Sequence, residues 1–261
     1  MALGWAADCV TCHAQQAAAH QGSAHARSLR RADAPQWRSI GADWAFGAGS
    51  QAVTFVSQAD PQHYLEHGLS YYAKLDRFDL TPGHGSSAGE RYRTFDPSAA
   101  ILRCFQCHST GKLTVSAEGQ IGVPQPGVQC QACHGDGARH NGGRGPILNP
   151  GKLSASAMND ACGACHRKPV PAGDDTDFSN PWNVRHQPLY LARSACFLKS
   201  AGRLKCTTCH DAHTGAAKPM CASCHAQPKH RVAVTGTCES CHMPAVEPRP
   251  GLKFANHWIS R

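Results

Sequence analysis

The sequence is short of the material that builds an ordinary protein core. Over 261 residues, aromatics make up 7% and hydrophobic residues 41%, while 25 glycines and 17 prolines interrupt whatever regular structure the rest could form. No run of about 18 apolar residues occurs, so no membrane-spanning helix is expected. No fixed-length repeat is present, which argues against a solenoid. Met1–Ala7 is too short for a secretory leader and lacks a basic start. The length allows one large or two small domains, yet the side chains alone would struggle to fill a large core.

What the chain has in excess is cysteine in one arrangement. Of 15 cysteines, fourteen fall in seven copies of Cys-x-x-Cys-His: Cys9-Cys12-His13, Cys104-Cys107-His108, Cys130-Cys133-His134, Cys162-Cys165-His166, Cys206-Cys209-His210, Cys221-Cys224-His225 and Cys238-Cys241-His242. A structural zinc site takes four ligands from paired knuckles and needs no histidine fixed after the second cysteine. A dithiol redox motif is single and opens a helix. Cys-x-x-Cys-His repeated without exception is the attachment signature of haem c. Two thiols add to the two vinyl groups of one porphyrin, and the adjacent histidine swings under the ring to bind iron. Seven covalently attached haem c groups are therefore expected.

Seven large apolar plates would supply the missing core, with the polypeptide wrapped round a haem stack. They also change the charge. A ferric porphyrin with two ionised propionates nets about −1, so seven would bring the formal +8 to about +1. Nucleic acid is then an unsuitable partner in spite of the basic sequence pI of 8.8. The basic cluster Arg27, Arg30, Arg31 and Arg38 reads as a solvated face or as counter-ions to propionates, with docking to an acidic redox partner as the sharper alternative. Haem c is attached outside the energy-conserving membrane. A periplasmic or extracellular location is expected, with this numbering starting after or inside a removed leader.

The motifs are unevenly spread. One lies in residues 1–103, followed by a haem-free interval containing β structure. Six lie in 104–261, and the two parts are expected to form one compact unit. Cys9–His20 reads as a helix broken near Gly22-Ser23. Trp44–Phe46 and Gln51–Ser57 read as a β-hairpin, Tyr64–Tyr72 as a further strand or a short helix, and Thr81–Gly89 as a loop. Beyond Cys104, helical turns at the motifs and little sheet are expected, with an extended tail from Pro244. The fold class is thus mostly irregular, with short α-helices and a small β-hairpin region.

Each iron has a sixth position, and its occupant decides between carrying electrons and doing chemistry. Ten histidines lie outside the motifs. His213 stands three residues after His210, which already faces its own iron, so His213 is expected to reach a neighbouring haem. The same holds for His140, which follows a turn permitted by Gly135 and Gly137. His230, His257 in the tail, His25 past the helix break and His84 in Thr-Pro-Gly-His complete six assignments. His186 is chosen as the seventh over His67, and His20 and His63 are left aside. His63 and His67 are spaced i, i+4, which on a helix could make a surface metal clip. Met243 follows His242 too closely to bind the same iron, Met158 and Met220 read as packing, and Cys196 reads as a buried inert thiol.

At these residues the chain resembles known multihaem cytochromes. Cys130–His140, in the pattern Cys-x-x-Cys-His-Gly-x-Gly-x-x-His, resembles the motif of hydroxylamine oxidoreductase and its relatives. Cys206–His213, Cys238–Pro244 and His257-Trp258-Ile259 resemble multihaem cytochromes fused to tetratricopeptide repeats, and Phe46–His84 is similar to the haem-poor interval of that group. No such repeat module lies within these 261 residues. The resemblance implies electron transfer between redox partner proteins. A multihaem enzyme acting on a small nitrogen or sulfur species at one open iron is the alternative, as is a subunit of a conducting filament. The Cys-x-x-Cys-Lys that often marks a pentahaem nitrite reductase is absent.

Overall fold

A computed structural model of the chain describes residues 5–95, 100–141, 143, 145–170, 176–218, 220–226, 228–230 and 234–260. The chain divides into two compact units, residues 1–148 and 149–261. The boundary expected at 103/104 is therefore displaced, for a reason visible in the packing of the first unit.

That unit is built on a seven-stranded antiparallel sheet. Its strands are β1 (Leu29–Arg31), β2 (Trp44–Phe46), β3 (Ala52–Asp60), β4 (His63–Glu66), β5 (Leu69–Tyr72), β6 (Arg77–Leu80) and β7 (Glu90–Arg93). The path runs β1-β2-β3-β4-β7, with β5 pairing both β3 and β6. The expected hairpin is its centre, Trp44 facing Val56 and Phe46 facing Thr54. The small β region foreseen from sequence is thus a full sheet, and Tyr64–Tyr72 resolves into parts of two strands rather than a helix.

Side chains alternate across a strand, and β2 shows why this sheet is stable: both of its faces are buried. Trp44 and Phe46 join Leu29, Val56, Tyr64, Ile101 and Phe105 on one side. Ala45 joins Val53, Phe55 and Trp37 on the other. Trp37 comes from the 3-10 turn Pro35–Ile40, which opens with proline and closes on Gly41 at φ 66°. Ile101 and Phe105 come from the helix Ala100–His108. That helix carries the second motif, and it buries its apolar face on the sheet. A cut at 103/104 would pass through this core.

Residues 149–261 are held differently. The helix Ala155–His166 begins at Ser154, whose hydroxyl accepts from the Ala157 amide at 3.2 Å. Buried Asn159 on this helix donates to the Pro188 carbonyl at 3.2 Å. The apolar cluster is Val184, Leu189 and Tyr190, with Phe178, Val246 and Phe254 packed against it. The tail folds into paired strands Ala245–Arg249 and Leu252–Ala255. This pair, with two short pairs after Cys104 (Ser109–Thr110 with Gln125–Pro126, and Thr114–Val115 with Ile121–Gly122), makes more sheet than expected there.

Candidate haem sites

Each motif lies on a helical turn that sets its two cysteines one turn apart. The seven segments are Trp5–Cys12, Ala100–His108, Cys130–His134, Ala155–His166, Cys206–Cys209, Cys221–Cys224 and Cys238–His242. In five of them the backbone past the second cysteine closes an i→i−4 or i→i−3 bond; at the first, the His13 amide donates to the Cys9 carbonyl at 2.9 Å. The motif histidine so stands at or just past the end of the turn, beside its cysteines.

A metal-bound imidazole holds iron through one nitrogen and donates its other N–H to an acceptor that fixes the ring. Three motif histidines have such acceptors. His108 Nδ1 meets the Ser28 carbonyl at 3.0 Å, His134 Nδ1 the Leu148 carbonyl at 2.9 Å, and His242 Nδ1 the Ser260 carbonyl at 2.7 Å. A ring held in this way through Nδ1, as in His108 and His242, presents Nε2 to a metal. Burial lowers the pKa of His108, against a smaller rise from its bond to Ser28, and so keeps the ring neutral. Phe46 packs edge-on to it at 5.3 Å between ring centres.

Three histidines outside the motifs face motif histidines, two of them across large sequence separations. His140 lies opposite His13, ring centres 6.2 Å apart and planes 20° from parallel. His257 lies opposite His210 at 6.1 Å and 20°. His230 lies opposite His242 at 6.2 Å and 50°. A metal–imidazole bond of about 2.0 Å, added to the roughly 1.1 Å from ring nitrogen to ring centre, puts two imidazoles on opposite sides of one metal about 6.2 Å apart. All three pairs have that spacing, and each joins one motif histidine to one outside the motifs. Residues present therefore fit haem iron held between two imidazoles. His257 also has its Nδ1 at 3.0 Å from the Ala255 carbonyl, and its pKa is lowered first by burial. The tail carrying it is pinned by buried Ser194, which donates to the His257 carbonyl at 2.6 Å and accepts from the Ile259 amide at 2.8 Å.

The other sequence-derived ligands are placed as follows. His186 is desolvated beside Arg185 and Arg167, and its pKa falls to about 4. The Arg167 guanidinium lies 3.5 Å from its Nδ1. The His25 carbonyl accepts from the Val128 amide at 2.9 Å, and the His213 amide donates to Asp211 at 3.0 Å. His84 turns its Nε2 to the carboxylate of Glu66, 3.4 Å away. Among the histidines left aside, His20 donates from Nε2 to the Val128 carbonyl at 2.9 Å, and His67 Nε2 meets the Ser57 hydroxyl at 2.7 Å. His63 sits at 2.8 Å from Asp60. His63 and His67 lie on and just after a strand, so they share no helical face. Cys196 is half-buried, Met158 is buried and Met220 is 48% exposed. Two arginines of the basic cluster lie over aromatic rings, Arg31 over Trp44 at 3.9 Å and Arg30 over Trp37 at 4.7 Å.

The attachment cysteines of residues 149–261 crowd together. Cys162 faces Cys206, an interaction that lowers the first thiol to about 7 and raises the second. Cys206 also lies 3.6 Å from Asn159 Oδ1. Cys221 is raised to about 11 by burial and by Glu239, and Cys238 and Cys209 are near enough to contribute. The last three motifs are thus neighbours in space as well as in sequence.

The profile of the family described as "Cytochrome c554 and c-prime" matches residues 83–135, which hold the second and third motifs. A curated relative, "Multiheme cytochrome MtrA" of Shewanella baltica (strain OS185), is 28% identical over 179 residues, covering 53% of this chain and 51% of its own length. The chain thus spans about half of that relative. A solved structure, "Crystal Structure of Outer Cell Wall Cytochrome OcwA", superposes with a TM-score of 0.57 over 97% of this chain and 78% of that one, at 12% identity, a likeness of fold. Among the described residues no helix is long and apolar enough to cross a membrane. In its motifs, its imidazole geometry and these matches the chain is similar to multihaem c-type cytochromes.

Proposed function

We propose that this cytochrome binds seven haem c groups and carries electrons between redox proteins in the periplasm or outside the cell. The observation that supports this reading best is the set of three imidazole pairs at 6.1 to 6.2 Å. When bound, haem c supplies an iron that takes up and gives back one electron. Cysteines of the seven motifs anchor each ring, and the motif histidines hold one side of the iron. His140, His257 and His230 close the other side opposite His13, His210 and His242. His25, His186 and His213 are proposed for three further irons. Backbone carbonyls at Ser28, Leu148 and Ser260 fix the ring orientation, so that little has to move when the charge changes. The crowding of Cys162 with Cys206, and of Cys221 with Cys209 and Cys238, supports close approach of rings along the second unit. The finer kinship with hydroxylamine oxidoreductase relatives or with tetratricopeptide-fused cytochromes is proposed on the Cys130–His140 and Cys206–His213 motifs alone.

A second reading has one observation in its favour. His84 is engaged by Glu66, which leaves six assigned histidines for seven irons. One open iron would suit a small nitrogen or sulfur species and make the protein an oxidoreductase. Intact mass spectrometry joined to electron paramagnetic resonance tests both. The polypeptide plus seven haems, with low-spin irons and no turnover of nitrite or hydroxylamine, supports the carrier. Fewer covalent haems refute the count. One high-spin iron with substrate turnover establishes the second reading instead.

A further inference from the structure

Glu66 at the end of β4 and Glu90 at the start of β7 are direct cross-strand partners. Opposed like charges on one face of a sheet destabilise it. Among the described residues neither carboxylate is paired with a lysine or an arginine. What faces them is His84, its Nε2 at 3.4 Å from Glu66, with side-chain exposures of 10% and 20%.

The chain builds this meeting deliberately. Buried Thr81 donates its hydroxyl to the His67 carbonyl at 2.6 Å and its amide to the Gly68 carbonyl at 2.8 Å. The His84 amide then closes on the Thr81 carbonyl at 2.9 Å. The loop returns through Gly89, at φ 79°, where a Cβ would stand 2.6 Å from the Glu66 carbonyl oxygen. Only glycine lets β7 start this close to β4. Tyr92 lies two residues beyond Glu90, on the same face, and donates to Glu66 Oε2 at 3.0 Å. Tyr92 thus stands as an outer hydrogen-bond donor to the Glu66 carboxylate.

One donor atom from each of Glu66, His84 and Glu90 lies within 4.8 Å of the other two. Bonds of about 2.1 Å place adjacent donors about 3 Å apart and opposite donors about 4.2 Å apart, so small side-chain movements close this set on a single ion. β7 is the edge of the sheet and Glu90 is exposed, which leaves one side open for entry and for water. One imidazole with two carboxylates suits a transition dication better than magnesium or calcium. We propose that Glu66, His84 and Glu90 form a site for one divalent transition-metal ion, separate from the haem irons. Tyr92 and Cys104 pack against the same apolar cluster, so the site lies near the second haem attachment. A cation there opposes oxidation of the neighbouring iron and raises its potential.

The test uses the haem-loaded protein, stripped with EDTA and titrated with zinc alone and manganese alone, followed by calorimetry and elemental analysis. One equivalent of either ion per chain, saturable and weakened at least tenfold in Glu90→Gln, is the expected result. Glu90 is exposed on an edge strand, so that variant keeps the fold. No saturable equivalent, or equal binding in Glu90→Gln and His84→Ala, overturns the site. A new high-spin iron in His84→Ala also overturns it, because His84 would then be a haem ligand. Haem mass and dye reduction on the same samples report on electron transfer independently.

Discussion

Residues 1–148 and 149–261 solve the same problem by different means. The first unit spreads three motifs over 148 residues and holds twelve of the chain's eighteen aromatics. With these it fills both faces of a sheet, and its helix Ala100–His108 docks there through Ile101 and Phe105. The second unit carries four motifs in a shorter span, six aromatics and one small apolar cluster. Its motif helices are four or five residues long except Ala155–His166. Isolated helices that short do not persist in water. The comparison teaches that the first unit is stabilised by side chains, while the second has few side chains for a core and is expected to depend on the cofactors it anchors.

The sharpest way to break this comparison is to remove the cofactor. Full-length polypeptide made without haem attachment should keep slow hydrogen exchange in β2 to β4. Protection in residues 195–260 should fall to that of an unfolded chain. Equal protection in both units, or loss in both, would end the distinction.

A smaller effect is expected from Phe105→Ala. Phe105 is fully buried and meets Trp44, Phe46 and Tyr64 edge-on at 5.6, 4.9 and 6.0 Å. Removing such a ring costs about 3–5 kcal/mol. Because Phe105 is a spacer residue inside the second motif, denaturant unfolding should show the sheet weakened together with loss of the haem at Cys104 and Cys107. Leu189→Ala, in the second unit, should cost less in the haem-loaded protein, since the anchored rings carry much of that unit.

The smallest effect concerns pH. Burial depresses His67 below its ordinary value of 6.5, where its ring meets Ser57. Its folded pKa lies under its unfolded pKa, so the unfolded chain takes up the proton first as pH falls. The sheet's stability is therefore full above about 6.5 and declines below it, until the folded pKa is passed. His67→Gln should flatten this part of the curve in denaturant midpoints measured between pH 8 and pH 5. An unchanged slope would show that His67 does not contribute.

Local features were legible in the sequence and long-range ones were not. The Trp44–Phe46 hairpin could be read because alternation and a glycine-rich turn are local signals. β7 was missed because Glu90, Arg91 and Arg93 look like a solvated run, and only pairing with β4 makes them a strand. The helix of the second motif was expected as a helical turn, but nothing in Cys104–His108 announces that Phe105 is the centre of a sheet's core. The seven motifs needed no structure at all, because attaching a porphyrin requires two thiols and an imidazole at fixed local spacing. Which histidine faces which motif did: His140 meets His13 across more than a hundred residues, and His84 is drawn to Glu66 and Glu90 only because Gly68 and Gly89 bring two strands and a loop together. Sequence by itself determined the cofactor chemistry, since covalent attachment is a local demand. Tertiary structure decided which imidazoles face one another, because partners distant in sequence are brought together only by packing.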